Sequence, residues 1–238
     1  MDKDLSTDLI PSFDESLYDP LIDLGVDFAE IGIDKIFDNE IVNQIPIAKT
    51  IVTGWKVGAA IRDRVLLRNT LVFINKFNSK TDFKKWQKHK EKLQSNKKFL
   101  ENELERVLLL LERFLDAKKA VILAKFFNNY IEEKISWQEF SEVSDITDRI
   151  FLEDLKLLYD AYSNNGIDFN ESYNYRIDRL TSLGLLENPQ RLGKVNMFSC
   201  GSADGLNEEE LKDISITALG KLYCENGLLK TDGSIEVF

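Results

Sequence analysis

The sequence predicts a mainly α fold, a multi-helix bundle followed by a small α+β domain, and three observations carry that expectation. Apolar residues recur at three- and four-residue intervals through most of the first 163 positions, the period of an amphipathic helix. Pro and Gly number only 4 and 12 among 238 residues, so long irregular connections are few. After about residue 163 the pattern turns to a helix, short extended pieces and a polar, Gly-containing loop. The expected organisation is therefore a flexible acidic N-terminus over 1–18, a helical bundle over 19–163 and a small domain over 164–238.

Taken in order, "DPLIDLGVDFAEIGIDKIFDNE" offers Asp19 as N-cap and Pro20 at the first helical position. Its carboxylates from Asp23 to Asp38 form one stripe opposite Leu24, Phe28 and Ile31, and a single stripe without a second ligand set is a poor cation cage. The next stretch, "NQIPIAKTIVTGWKVGAAIRDR" (43–64), has Lys49, Thr53 and Lys56 on one face and Ile47, Ile51, Gly54 and Gly58 on the other. Lysine within a membrane-spanning segment costs roughly 2.5 to 3.5 kcal/mol, so Lys49, Lys56, Arg62 and Arg64 argue against spanning. Gly in a helix interior costs about 1 kcal/mol against Ala, so Gly54 and Gly58 with Trp55 between them imply close helix packing or a partner surface.

Val65 to Phe77 reads as a central buried helix, with Thr81 or Ser79 capping its successor. Phe83, Trp86, Leu93, Leu100, Leu104, Leu108 and Leu111 then follow at helical intervals, as one helix or as two broken near Ser95 and Asn96. "DAKKAVILAKFFNNYIEEK" is a further helix, and Ser136 with Glu139 has capping-box spacing for a helix through about Tyr162.

Charge is unevenly placed. Residues 1–40 hold twelve acidic against two basic side chains, which alone matches the net charge of −10. Arg62 to Lys98 holds twelve basic against three acidic, with Phe83 and Trp86 interleaved. Solvated helix faces explain such runs most simply; the sharper alternative is an anionic partner patch of Arg62, Lys84, Lys85 and Lys88, to be met by nucleic acid or a peripheral anionic membrane.

In the last third, "ESYNYRIDRLTSLGLLENP" is a helix closed by Gly184, followed by "SCGSADGLNEEELKD" and by "ISIT" leading into "ALGKLYCENG". The order helix, strand, loop, strand, helix is that of a winged-helix-like α+β domain. "RLTSLGLLE" and "ISITALGKLYCE" resemble the pieces that flank the wing in many bacterial winged-helix domains. Used on DNA, such a helix would offer Asn174, Arg176 and Arg179 to the major groove, against the acidic loop of Glu208, Glu209 and Glu210. Joined to a helical bundle, the same two phrases resemble the bacterial Abi-alpha-type abortive-infection proteins and related prophage and phage-defence proteins. The resemblance implies a context of phage resistance and carries no catalytic motif.

Enzyme signatures are scarce. His89 is the sole histidine and, lying among lysines, is expected to be an exposed bystander; no phosphate loop, nucleophile elbow or dinucleotide fingerprint is present. Glu132 and Lys134 have an acid-x-Lys spacing that is common by chance. Cys200 and Cys224 make no disulfide framework and "MDKDLSTDLIPSF" lacks signal-peptide character, which points to the cytoplasm or its membrane face. The expectation is a non-enzymatic protein with no cofactor, metal or small-molecule substrate, working through protein contacts with a partner or a second copy. The alternatives are a DNA-binding regulator and a membrane-surface effector using residues 43–64.

Overall fold

The computed structural model describes residues 3–17, 42–53, 61–93, 97–168, 174–187 and 213–229, and these are mainly helical. The chain divides into two compact units between Asp148 and Arg149. The first contains α1 (Lys3–Ser16), a short 3-10 turn (Val42–Gln44), α2 (Pro46–Thr53), α3 (Ile61–Asn78), α4 (Phe83–Leu93), α5 (Lys97–Arg113), α6 (Ala117–Ile131) and α7 (Trp137–Arg149).

The centre of this unit is the pairing of α3 with α6, against which α5 also packs. Phe73 joins α1 to α6, its ring centroid 5.8 Å from Phe13 and 5.9 Å from Phe127; Phe127 lies 5.5 Å from Phe140 of α7. All four rings are fully buried, and burial of each contributes roughly 1.5 to 3 kcal/mol. Asn69 is buried on α3, and its side-chain amide donates to Leu111 O (2.8 Å) and Phe114 O (2.7 Å), which closes the carbonyl end of α5.

The terminus expected to be flexible over 1–18 is helical over most of its described residues, 3–17. Lys3–Ser16 is a helix containing Pro11, and Leu9, Phe13 and Leu17 are buried at four-residue spacing against neighbouring α2 and α5. Burial of that stripe outweighs the poor helix propensity of its Asp, Ser and Pro residues. Ser16 Oγ then accepts the Ile47 N–H at 2.9 Å, capping α2 from α1. On α2, Ile47, Ala48 and Ile51 are buried while Lys49 is exposed, as the phase of that stretch predicts. Gly54, Trp55 and Gly58 lie outside the described residues, as does the acidic stripe from Asp23 to Asp38.

The region after Phe77 is two helices, α4 and α5. The cap of α4 is Asp82, whose carboxylate accepts the Lys84 N–H at 2.9 Å; Thr81, expected as a cap, instead donates its hydroxyl to Asn128 in the core. The capping box of α7 forms as its spacing predicts: Glu139 accepts the Ser136 N–H at 2.7 Å and Ser136 Oγ accepts the Glu139 N–H at 3.2 Å. The backbone bond from Ser136, aided by its hydroxyl, holds the Glu139 carboxyl below its usual range.

The helix expected to run to about Tyr162 stops at Arg149. Its continuation, α8 (Asp154–Ser163), buries Leu155, Leu158 and Ala161 within the C-terminal unit, so the division falls at 148/149 where 163/164 was expected. The unit continues with β1 (Ile167–Asp168), α9 (Asn174–Ser182), β2 (Leu186–Glu187), β3 (Asp213–Ile216), α10 (Ala218–Tyr223) and a π-helical turn (Cys224–Leu228). β3 lies between the other two strands, antiparallel to both, with Ile167 opposite Ile214 and Leu186 opposite Ile216.

Gly184 ends α9 at φ +74°, a left-handed conformation that lets the Leu185 N–H return to Leu180 O at 3.0 Å. Thr217 caps α10: its hydroxyl accepts the Gly220 N–H at 2.9 Å and donates to Gly184 O at 2.6 Å. The phrases "RLTSLGLLE" and "ISITALGKLYCE" therefore meet at one hydroxyl. A Cβ on Gly220 would stand 2.2 Å from Leu185 O. Gly220→Ala is thus expected to destabilise this unit by about 3 kcal/mol, read as roughly a hundredfold faster amide exchange over 213–228.

Candidate interaction face

The sequence of α4, FKKWQKHKEKL, buries a single residue, Trp86. Its ring meets Phe77 edge-on at 5.8 Å, Phe127 at 6.1 Å and His89 in a stack at 5.7 Å. His89 is no bystander. One turn beyond Trp86 on the same face, it is 10% exposed and sits 2.9 Å from Glu103 of α5, which is wholly buried. With Glu103 as carboxylate, His89 Nε2 donates to one oxygen and the Tyr130 hydroxyl to the other. Burial first, and then the bond to Glu103, raises the Tyr130 hydroxyl far above its usual range and keeps it a donor.

On either side of this anchor, carboxylates hold the lysines of α4. Lys85 reaches Glu132 at 2.7 Å, and Lys134 approaches the same carboxylate at 2.7 Å. Partial burial works to raise Glu132, but hydrogen bonds from Lys134 and Lys85 prevail and lower it. Lys92 pairs with Glu133, which takes a left-handed turn at φ +59°, and Lys90 pairs with Asp14 of α1 at 2.5 Å. Exposed pairs of this kind contribute up to about 1 kcal/mol each, so they orient the helix more than they hold it.

What remains outward is short. Lys84 and Lys88, one turn apart, are exposed, and among the described residues no carboxylate pairs with either. Glu91 shares their face, Lys80 is exposed in the preceding turn, and Phe83 at the helix start is 52% exposed. The anionic-partner patch that the sequence suggested is not continuous. Arg62 pairs with Glu112 at 2.8 Å, at the far end of α3 and about 25 Å of helix rise from α4, and Lys85 is engaged by Glu132. Lys84 and Lys88 are brought together one turn apart, and Phe83 shares a face with Trp86, Gln87 and Lys90. Glu103, Tyr130 and the inward role of His89 escaped the sequence reading. The signal was the spacing of Trp86, His89 and Leu93, which share one helix face.

In the C-terminal unit, Asp154 is 1% exposed and takes Arg176 Nε at 2.8 Å, with Arg179 Nε and Nη2 at 2.8 and 2.7 Å. Arg179 is further flanked by Phe151 at 4.5 Å and Tyr175 at 5.0 Å from its guanidinium carbon. Both arginines proposed for DNA contact are therefore committed within the unit; Asn174 opens α9. Cys224 is buried, and burial, aided by Glu225, pushes its thiol up to about 12, so it stays protonated and unreactive. Cys200 and Glu208 to Glu210 lie outside the described residues.

Among the described residues no helix is long and apolar enough to cross a membrane, and no group of three or more His, Cys, Asp and Glu could hold a metal ion. Compared with protein-family models, with curated proteins and with solved structures, the chain matches none.

Proposed function

We propose that this is an interaction protein whose helical unit docks an acidic protein surface through Phe83, Lys84 and Lys88 of α4. The observation that carries the reading is the selective neutralisation of α4: Lys85, Lys90 and Lys92 are taken by Glu132, Asp14 and Glu133, which leaves Lys84 and Lys88 unpaired among the described residues, one turn apart, with Phe83 exposed at the helix start. Membrane surfaces and nucleic acid backbones are held by longer cationic clusters, roughly four to eight Lys or Arg for an anionic lipid surface. An aromatic anchor ringed by a few charges is instead the scale of a protein interface.

The hold of Asp154 on Arg176 and Arg179 weighs against a DNA-binding regulator, and the core packing of Ile47, Ala48 and Ile51 weighs against a membrane effector built on residues 43–64. The order of elements from α9 to α10 supports a winged-helix-like reading of the C-terminal unit as a protein-contact module. With the Abi-alpha resemblance, it makes phage defence the context we favour.

The test is binding of wild type and of the double variant Lys84→Glu/Lys88→Glu to polyglutamate, to anionic phospholipid vesicles and to duplex DNA, at low and near-physiological salt. Wild type is expected to bind polyglutamate with an affinity that falls as salt rises, and the variant to lose about tenfold or more. Equal binding by the two proteins would remove α4 as the site. Preference for vesicles or for duplex over polyglutamate would overturn the protein-partner reading.

A further inference from the structure

An acidic helical surface of the kind α4 would meet is present in this chain itself. α5 treats its charges in the opposite way to α4: Arg106 is taken by Asp145 at 2.9 Å and Arg113 by Asp148, both on α7, whereas Glu105 is exposed and no cation pairs with it among the described residues. Glu101, Glu105 and Leu109 follow at four-residue spacing and form one outward stripe. Leu109 is 46% exposed and lies at a groove between α1, α3 and α5 whose apolar lining includes Ile10, Leu66 and Leu108. Glu112, the other acid at this groove, is held by Arg62.

The two faces match in spacing and are opposite in sign. Lys84 and Lys88 stand one turn apart, about 6 Å of rise, and so do Glu101 and Glu105. Each pair has an exposed apolar neighbour, Phe83 at the start of α4 and Leu109 one turn after the acids. With the helices antiparallel, Lys84 meets Glu105, Lys88 meets Glu101, and Phe83 lies at the Leu109 end. The faces also belong to one surface, because the cleft that Phe83 lines and the groove of Leu109 share Ile10 of α1. A twofold axis over that seam brings each α4 onto the α5 of the other chain and closes the contact in a pair. We propose that the partner of α4 is a second copy of this chain, joined through reciprocal α4–α5 contacts. This rests on the docking reading of α4 and names its partner.

The experiment is sedimentation equilibrium of the whole chain at low and near-physiological salt, for wild type, for Lys84→Glu/Lys88→Glu and for Glu101→Lys/Glu105→Lys. Wild type is expected to form a dimer that weakens as salt rises, and each variant alone to dimerise about tenfold or more weakly, since like charges then face each other. Mixed in equal amounts, the two variants should regain wild-type association, because both reciprocal contacts again join opposite charges. Should either double variant fail to fold, Lys88→Glu and Glu105→Lys carry the same mixing test. Three results would each overturn the proposal: wild type monomeric up to about 100 µM at low salt, a Glu101→Lys/Glu105→Lys protein that dimerises as wild type does, or folded variants that stay apart when mixed. Polyglutamate separates this inference from the docking reading. Glu101→Lys/Glu105→Lys keeps Lys84 and Lys88, so it should bind polyglutamate at least as tightly as wild type. A monomeric wild type that binds polyglutamate through Lys84 and Lys88 would overturn the second copy and leave the docking reading standing.

Discussion

Asp154→Ala is expected to destabilise the C-terminal unit by roughly 3 kcal/mol, because it removes the buried carboxylate around which two guanidinium groups are organised, leaving Arg176 with Glu153 O. Asp154 is 1% exposed and receives three hydrogen bonds from Arg176 and Arg179. The partners differ in exposure, Arg176 at 19% and Arg179 at 36%, so removing either arginine leaves Asp154 with the other and costs less. The two units can be followed separately. All three tryptophans, Trp55, Trp86 and Trp137, precede Arg149, so fluorescence reports the helical unit and peptide-resolved amide exchange reports the other. Exchange over 154–182 and 213–228 should accelerate by about a hundredfold or more in Asp154→Ala, with the fluorescence transition unmoved. Acceleration below about tenfold would mean that the arginines find water or other partners at little cost.

Trp86→Ala should cost the helical unit about 3 to 5 kcal/mol, the range for deleting a large buried aromatic side chain. The effect on α4 should exceed the effect elsewhere, since Trp86 is the only residue that this helix buries and the lysine pairs on its flanks are solvated. The expected signature is loss of amide protection over 83–93 ahead of the α3 and α6 amides, together with a lower urea midpoint. If 83–93 kept its protection, the His89–Glu103 bond and the lysine pairs would be the true anchors. Loss of α4 would also scatter Lys84 and Lys88, so binding to an acidic surface should fall along with the protection.

Much of this architecture can be read from residue spacing. The buried run of α3, the Ser136–Glu139 box and the Gly184 stop each follow from a local rule whose partners lie within a few residues. The misreadings share a different origin. α1 is helical because α2 and α5 cover its stripe, and no local pattern announces that cover. His89 sits among lysines in the chain, yet helix phase turns it towards Glu103, fourteen residues on. Arg176 and Arg179 look like free cations until Asp154, more than twenty residues earlier, is folded against them. The count of basic residues misled because half of the candidate patch is neutralised, Arg62 by Glu112 of α5 and Lys85 by Glu132 just past α6. For the site as for the fold, spacing told which face a residue takes, and long-range pairing decided whether its charge was available.

Asn69 bears on something other than stability. The apolar faces of paired helices can slide past one another by a turn, about 5.4 Å, with little change in the area they bury. Asn69 removes that freedom, since its amide fits only where the carbonyls of Leu111 and Phe114 come to an end. A shifted pairing would leave the amide and both carbonyls without partners in an apolar interior. One polar side chain thus acts as an index mark that admits a single register between these two helices, and with it a single placement of Glu103 beneath His89.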